Sequence, residues 1–427
     1  MKKILLAVLT IFGLTMSLMA TNPVNTVMPS LTIAPDGRAA GMGDIGAATA
    51  ADLNSQHWNP SKYAFMESKG GVTVNYTPWL TKLNADINLA YIAGYYKMGE
   101  MAGTISGSFT YFDMGEVQMI DYMGVPGPTI EPNEWAFDVA YSRKLHEYVS
   151  MAVALRFLYS DLYSGQSPES AQEMYPAWTM AADVSLYYRQ PIALPMGESY
   201  FSLGFNLSNL GDKMTYDGDV RNFIPANVRL GVAYELPFDD YNRLMVSAEA
   251  NKMLVPTYES KFANNGQGGR YSQDEYSGIS SPQGWWQSFC DAPGYVDDKT
   301  NKTVSPAMEE LQEVQWGIGL EYSYNRQFFA RAGYSHENYY KGNRRYVTLG
   351  AGFKLSIFSL DVAYCIATAA SNPLDQTMRF TLGFDLAGIK DLAGIKINKT
   401  DENIPSELQT SENLIPTKEQ SKSEQAK

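Results

Sequence analysis

The chain has 427 residues, 45% of them apolar, 13% aromatic and 19% charged. Spanning helices need about 20 consecutive apolar residues each, so this composition excludes a helical membrane bundle, and abundant aromatics with sparse charge exclude disorder over most of the length. The net charge of -13, or -15 without Lys2 and Lys3, opposes nucleic-acid binding, which needs basic residues to displace phosphate counterions.

The chain opens with Met1-Lys2-Lys3, an apolar run from Ile4 to Met16 and Ser17-Leu18-Met19-Ala20. This pattern predicts an export signal over residues 1–20, with Thr21 the first mature residue. Only Cys290 and Cys365 are present, so no disulfide framework is expected and ordinary unpaired thiols are the simpler reading. Residues 21–70 are rich in Gly, Ala and Asn, alternate little, and are expected in the periplasm, across a barrel mouth or inside a lumen.

From about residue 70 the chain alternates with period two, the mark of strands with one apolar face. In residues 149–161, Val149, Met151, Val153, Leu155, Phe157 and Tyr159 share a side, opposite Ser150, Ala152, Ala154, Arg156 and Ser160. Fourteen such segments are predicted, near 71–79, 85–97, 101–113, 135–145, 149–161, 178–190, 200–209, 227–236, 242–252, 313–324, 327–336, 345–355, 357–368 and 377–387. Their length matches the roughly 9–11 tilted residues that cross a bilayer. The spacers largely sort by parity: 98–100, 146–148, 191–199, 237–241, 325–326 and 356 are short and 114–134, 162–177, 210–226 and 253–312 long, while 337–344, 369–376 and the first, 80–84, are shorter than the other long ones. Short periplasmic turns and long outer loops characterise outer-membrane barrels, and an even strand count leaves both termini periplasmic. The expected fold is therefore all-β, a 14-stranded antiparallel transmembrane β-barrel over 71–387 with an N-terminal plug over 21–70. Loop 253–312, with Trp285, Trp286 and Phe289, reads as an outer partner-touching loop, and 388–427 as a flexible periplasmic tail whose start repeats Asp-Leu-Ala-Gly-Ile-Lys.

Catalytic and metal signatures are absent from the sequence. His57, His146 and His336 form no zinc-binding spacing, and neither a nucleophile elbow nor a phosphate loop appears. No cofactor or metal is expected. Gly41-x-Gly43-x-x-Gly46 mimics a dinucleotide fingerprint but lies in no βαβ unit. Asp138, Asp183, Glu249, Glu321 and Asp361 share the small, polar strand face with Arg156, Arg189, Arg229 and Arg379. Either a polar lumen admits a solute, or the charges pair and fill it.

The stretch Arg38-Ala39-Ala40-Gly41-Met42-Gly43-Asp44, followed by Asn54-Ser55-Gln56-His57-Trp58-Asn59-Pro60, resembles the N-terminal region of the PorV family. These are outer-membrane proteins of the type IX secretion system of Bacteroidetes, within the wider group of FadL-like barrels that carry an N-terminal hatch. The resemblance implies a non-catalytic export role. Cargo bearing a C-terminal signal domain would be bound at a large translocon barrel and delivered to a surface sortase-containing attachment complex, in a membrane of lipid and lipopolysaccharide. Arg38, Gly41, Gly43, Asp44, Trp58, Asn59 and Pro60 would set the plug, and Trp285, Trp286 and Phe289 would touch partners. A FadL-like uptake channel and a lipopolysaccharide deacylase are the alternatives; for the latter, His336-Glu337 is the nearest acid–base pair.

Overall fold

Alternating strands bury one face and expose the other, and here the large apolar side chains are the exposed ones. In a computed structural model, which describes residues 24, 26–79, 86–99, 101–120, 126–163, 173–257, 273–297, 300–368 and 374–386, Val153 and Leu155 are 44% and 62% exposed, while Ser150 and Ala154 are buried. That inversion is stable only where lipid covers the outer face.

The strands are β1 (Gly70–Pro78), β2 (Asn88–Gly99), β3 (Gly103–Asp113), β4 (Asn133–His146), β5 (Val149–Asp161), β6 (Ala177–Leu194) and β7 (Gly197–Gly211). They continue as β8 (Asn227–Pro237), β9 (Asn242–Met253), β10 (Gln315–Tyr324), β11 (Phe328–His336), β12 (Tyr346–Lys354), β13 (Phe358–Ala367) and β14 (Met378–Asp385). Each pairs antiparallel with its neighbours, and β1 closes on β14 through registers such as Val72 with Phe384. Closure leaves no unpaired edge in hydrocarbon. This is a 14-stranded transmembrane β-barrel with an N-terminal plug. Among the described residues no helix is long and apolar enough to cross a membrane.

The predicted segments coincide with these strands, with differences at three places. Residues 191–199 are mostly strand, not spacer: β6 and β7 run on to a two-residue turn, with Pro191 opposite Tyr200. Proline lacks a donor and reads as a strand end, but this hairpin extends past the neighbouring turns. The spacer 114–134 holds a small hairpin, Val117–Ile120 with Pro126–Ile130. Loop 253–312 holds helices Gln273–Gly278, Ser281–Gln287 and Pro306–Gln312 and a hairpin, Tyr295–Asp297 with Lys302–Val304. The expected export signal, the tail after 387 with its repeat, and the run Asn264 to Gly269 lie outside the described residues.

Inside the barrel, residues 26–69 form short helices, Gly37–Ala40, Ser55–Trp58 and the 3-10 turns Pro29–Thr32 and Pro60–Phe65. Asp36 caps the first of these by accepting from Ala39 N at 2.8 Å, and Asn59 caps the last by accepting from Ser61 N at 3.2 Å. Pro60 stands at the first helical position, where its missing N–H costs nothing. Met42, Ile45 and Ala48 of the plug pack with Ala233 and Met245 of the wall.

Candidate functional site

The functional geometry begins where the plug meets the wall. Inward glycines let its backbone lie directly on the sheet: a Cβ on Gly204 would stand 2.0 Å from Ala47 O, and one on Gly333 2.1 Å from the Met42 carbonyl carbon. The plug reciprocates. A Cβ at Gly41 would meet the Gly350 Cα at 3.0 Å, and Gly43, at φ +81°, lies against Tyr334. Gly46 lies under the Trp58 indole. The spacing that imitates a dinucleotide motif therefore serves close packing.

Charge then fastens the contact. Arg38 donates to Glu321 through Nε and Nη2 at 3.0 and 2.9 Å, and to Asp52 at 2.8 Å. Glu321 also accepts from Arg331 at 2.6 Å, and Arg331 donates to Asp361 at 2.6 Å, so one chain of opposite charges runs from plug to β13. Asp44, held at φ +58°, accepts from the Tyr346 hydroxyl at 2.5 Å and from Arg379 at 3.1 Å. Glu249 accepts from Gly46 N and Ala47 N at 2.9 and 2.7 Å. A second set joins Gln56 to Asp138 at 2.7 Å, with Arg156 between Asp138 and Asp183. Most of the strand-face charges thus pair, and the interior keeps a cavity of about 520 Å³ lined by Arg38, Asp52, Glu321, Arg331 and Asp361.

Trp58 is buried; its indole donates to Asp36 at 2.7 Å, and the Arg229 guanidinium lies 4.9 Å from its ring. Asn59 bridges plug and wall, donating to Ala47 O and Leu186 O at 3.0 Å. Burial, with Asp52 nearby, pushes the Asp36 carboxyl up to about 6. Burial and the Arg229 and Arg156 charges hold the His57 imidazole well below its usual value. Sequence reasoning did not single out Lys62, which is fully buried and donates to Gly46 O at 2.8 Å, tying two parts of the plug together. It also donates to the Thr49 hydroxyl at 3.1 Å, and neither partner is a charge whose spacing the sequence could flag.

The other pole is the long loop beside β9 and β10. Lys341 donates to Glu309 and Glu313 at 2.6 and 2.9 Å, and Lys252 to Glu313 at 2.6 Å, all largely buried. This anchors helix Pro306–Gln312 to the barrel rim. On the neighbouring helix Trp286 is 78% exposed, and Phe289 beyond it is 49% exposed with the Lys252 ammonium 5.9 Å from its ring. Trp285 is half-buried. The expected trio therefore splits into two exposed rings and one that is half-buried.

His336 and Glu337 face different partners. His336 stacks on Trp316 at 4.9 Å and shares a hydrogen bond with the Tyr334 hydroxyl, whereas Glu337 accepts from Arg344 and Gln315. His146 ends β4 and is exposed. Asp217 accepts from Asp219 N and Val220 N at 2.9 Å, a polar turn. Cys290 is exposed and Cys365 buried, and the two form no disulfide with each other.

Residues 17–260 match the family model described as type IX secretion system protein PorV. The chain belongs to the PorV family. The match takes in the plug and the barrel through β9. No curated protein matches the chain. Among solved structures, the Ralstonia pickettii toluene transporter TbuX is similar over 84% of this chain and 99% of its own, at 12% identity and a TM-score of 0.45. The Pseudomonas putida toluene transporter TodX covers 82% and 97%, at 9% identity and 0.46. A Pseudomonas aeruginosa FadL homologue covers 86% and 100%, at 10% and 0.39. Likeness at this level says nothing of what this PorV-family barrel handles.

Proposed function

We propose that this PorV-family barrel binds secreted cargo carrying a C-terminal signal domain at a large outer-membrane translocon and shuttles it to the surface sortase-containing attachment complex. The short turns and both termini face the periplasm, the long loops face outside, and no reaction is catalysed. The family match over residues 17–260 carries this reading. The plug supports it, because a segment tied to the wall by Arg38–Glu321, Asp44–Arg379 and Glu249 would have to give up those contacts to act as a gate. Trp286 and Phe289 supply exposed aromatic anchors of the kind that dominate interfaces.

The test is purification of the native protein in mild detergent, followed by mass spectrometry of its companions. Secreted proteins still carrying their signal domains, or a giant barrel partner, are the expected result. A lone barrel holding fatty acid would overturn the reading in favour of an uptake channel.

A further inference from the structure

The wall carries an oblique apolar trough on its lipid face, independent of the export reading except for which end faces the periplasm. Register aligns two outward rows across the sheet. One runs Leu186, Phe205, Leu230, Ala250, Trp316, and the other Val149, Tyr188, Leu203, Val232, Ala248, Ile318. Between them lies the row Tyr187, Gly204, Gly231, Glu249, Gly317, whose glycines face the plug. Residues of these three rows line a cavity of about 780 Å³. The Glu249 carboxylate is turned inward to Gly46 N and Ala47 N, so it presents no charge to the trough.

Dimensions choose the occupant. Rows two residues apart are separated by about 6.8 Å, too narrow for a helix 10–12 Å across. Strands β5 to β10 are all paired on both sides, which denies an incoming strand an edge. An extended hydrocarbon chain needs neither width nor hydrogen bonds. From β5 to β10 the trough spans five strand spacings, about 24 Å, and strands tilted 35–45° make it climb about 15 Å, half of a hydrocarbon core. It starts at Val149, beside the short turn that follows His146. Register extends the first row to Met151 and then Arg143, an exposed cation at the same end.

We propose that this trough is a seat for one acyl chain of a phospholipid in the leaflet at the short-turn end, with Arg143 meeting its phosphate. The small side chains of Ala248 and Ala250 keep the seat open, where Tyr188 stands in the row of the first and Phe205 and Trp316 in the row of the second.

The experiment reconstitutes the full chain into vesicles of phosphatidylglycerol carrying a photoactivatable diazirine in one acyl chain, then maps cross-links by mass spectrometry. Both leaflets are alike in such vesicles, so the outcome does not depend on how the protein is oriented in the cell. Cross-links should concentrate on Leu230, Val232, Ala248 and Ala250 over the opposite wall at Leu349 and Leu382. Ala250→Trp should lower them roughly tenfold, since losing two buried methylene contacts costs about a decade in occupancy. Arg143→Glu should lower them while leaving heat-modifiable gel migration, the mark of a closed barrel, unchanged. Labelling spread evenly around the barrel, or unaffected by Ala250→Trp in a protein that still migrates as folded, would overturn the proposal.

Discussion

Arg38 in the plug and Glu321 in β10 face each other through two parallel hydrogen bonds of 3.0 and 2.9 Å, 283 residues apart in sequence. Both are largely buried, and each has one further charged partner, Asp52 for Arg38 and Arg331 for Glu321. Removing one partner of such a pair costs about 3–5 kcal/mol, whereas replacing both by apolar groups is often neutral. Arg38→Met and Glu321→Met should therefore each lower the temperature at which the folded barrel loses its compact gel migration, and the double variant should recover most of the loss. Additive losses in the double variant would show that the pair does not act as a unit.

The plug's close approach makes a steric prediction. Gly204→Ala places a Cβ 2.0 Å from Ala47 O, backbone against backbone, and should loosen the plug enough to admit protease between residues 42 and 66. Gly278→Ala, in the long loop with open space around it, should leave cleavage unchanged.

For the outer loop, Trp286→Ala should weaken capture of a signal-domain cargo by roughly tenfold or more, an ordinary anchor-residue loss of about 2 kcal/mol. Barrel stability should not move, because Trp286 is 78% exposed. Trp285→Ala, half-buried, should instead raise hydrogen exchange within the loop. Equal capture by wild type and Trp286→Ala would remove this face from the interface.

Asp291 gives the same loop a pH dependence. Its carboxyl accepts from Thr257 N at 3.0 Å, and burial together with Glu310 and Glu313 pushes it up from 3.8 to about 6. A carboxyl raised in the folded state contributes stability below its unfolded value, and that contribution is lost as pH rises through about 6. Amide protection in residues 281–297, corrected for intrinsic exchange, should fall between pH 4 and 6. Asp291→Asn, which keeps an acceptor for Thr257 N without the charge, should flatten that fall. An unchanged profile would remove Asp291 from the loop's stability.

The order of the strands was legible because lipid demands it. A wall one residue thick must present alternating faces, so Val153 and Leu155 against Ser150 and Ala154 already state which side meets hydrocarbon. The positions of the short turns were legible because a brief spacer can only join antiparallel neighbours, although the turn within 191–199 is shorter than its spacer suggested. The spacer 191–199 was misjudged, because there β6 and β7 run on past both neighbouring strands and pair only with each other, Pro191 opposite Tyr200.

By itself, the sequence determined an acidic, 14-stranded barrel with a glycine-rich segment in front of it. It could also name Arg38, Asp44, Trp58 and Asn59 as plug residues through their motif. It could not say that Arg38 reads Glu321, that Asp44 reads Arg379, or that Gly204, Gly231 and Gly317 line up as one row under the plug and one trough outside. Those pairings depend on register and closure, which place residues hundreds of positions apart at hydrogen-bond distance. Periodicity reports only which face a side chain takes; what stands opposite it is decided when the sheet closes and the plug packs against it.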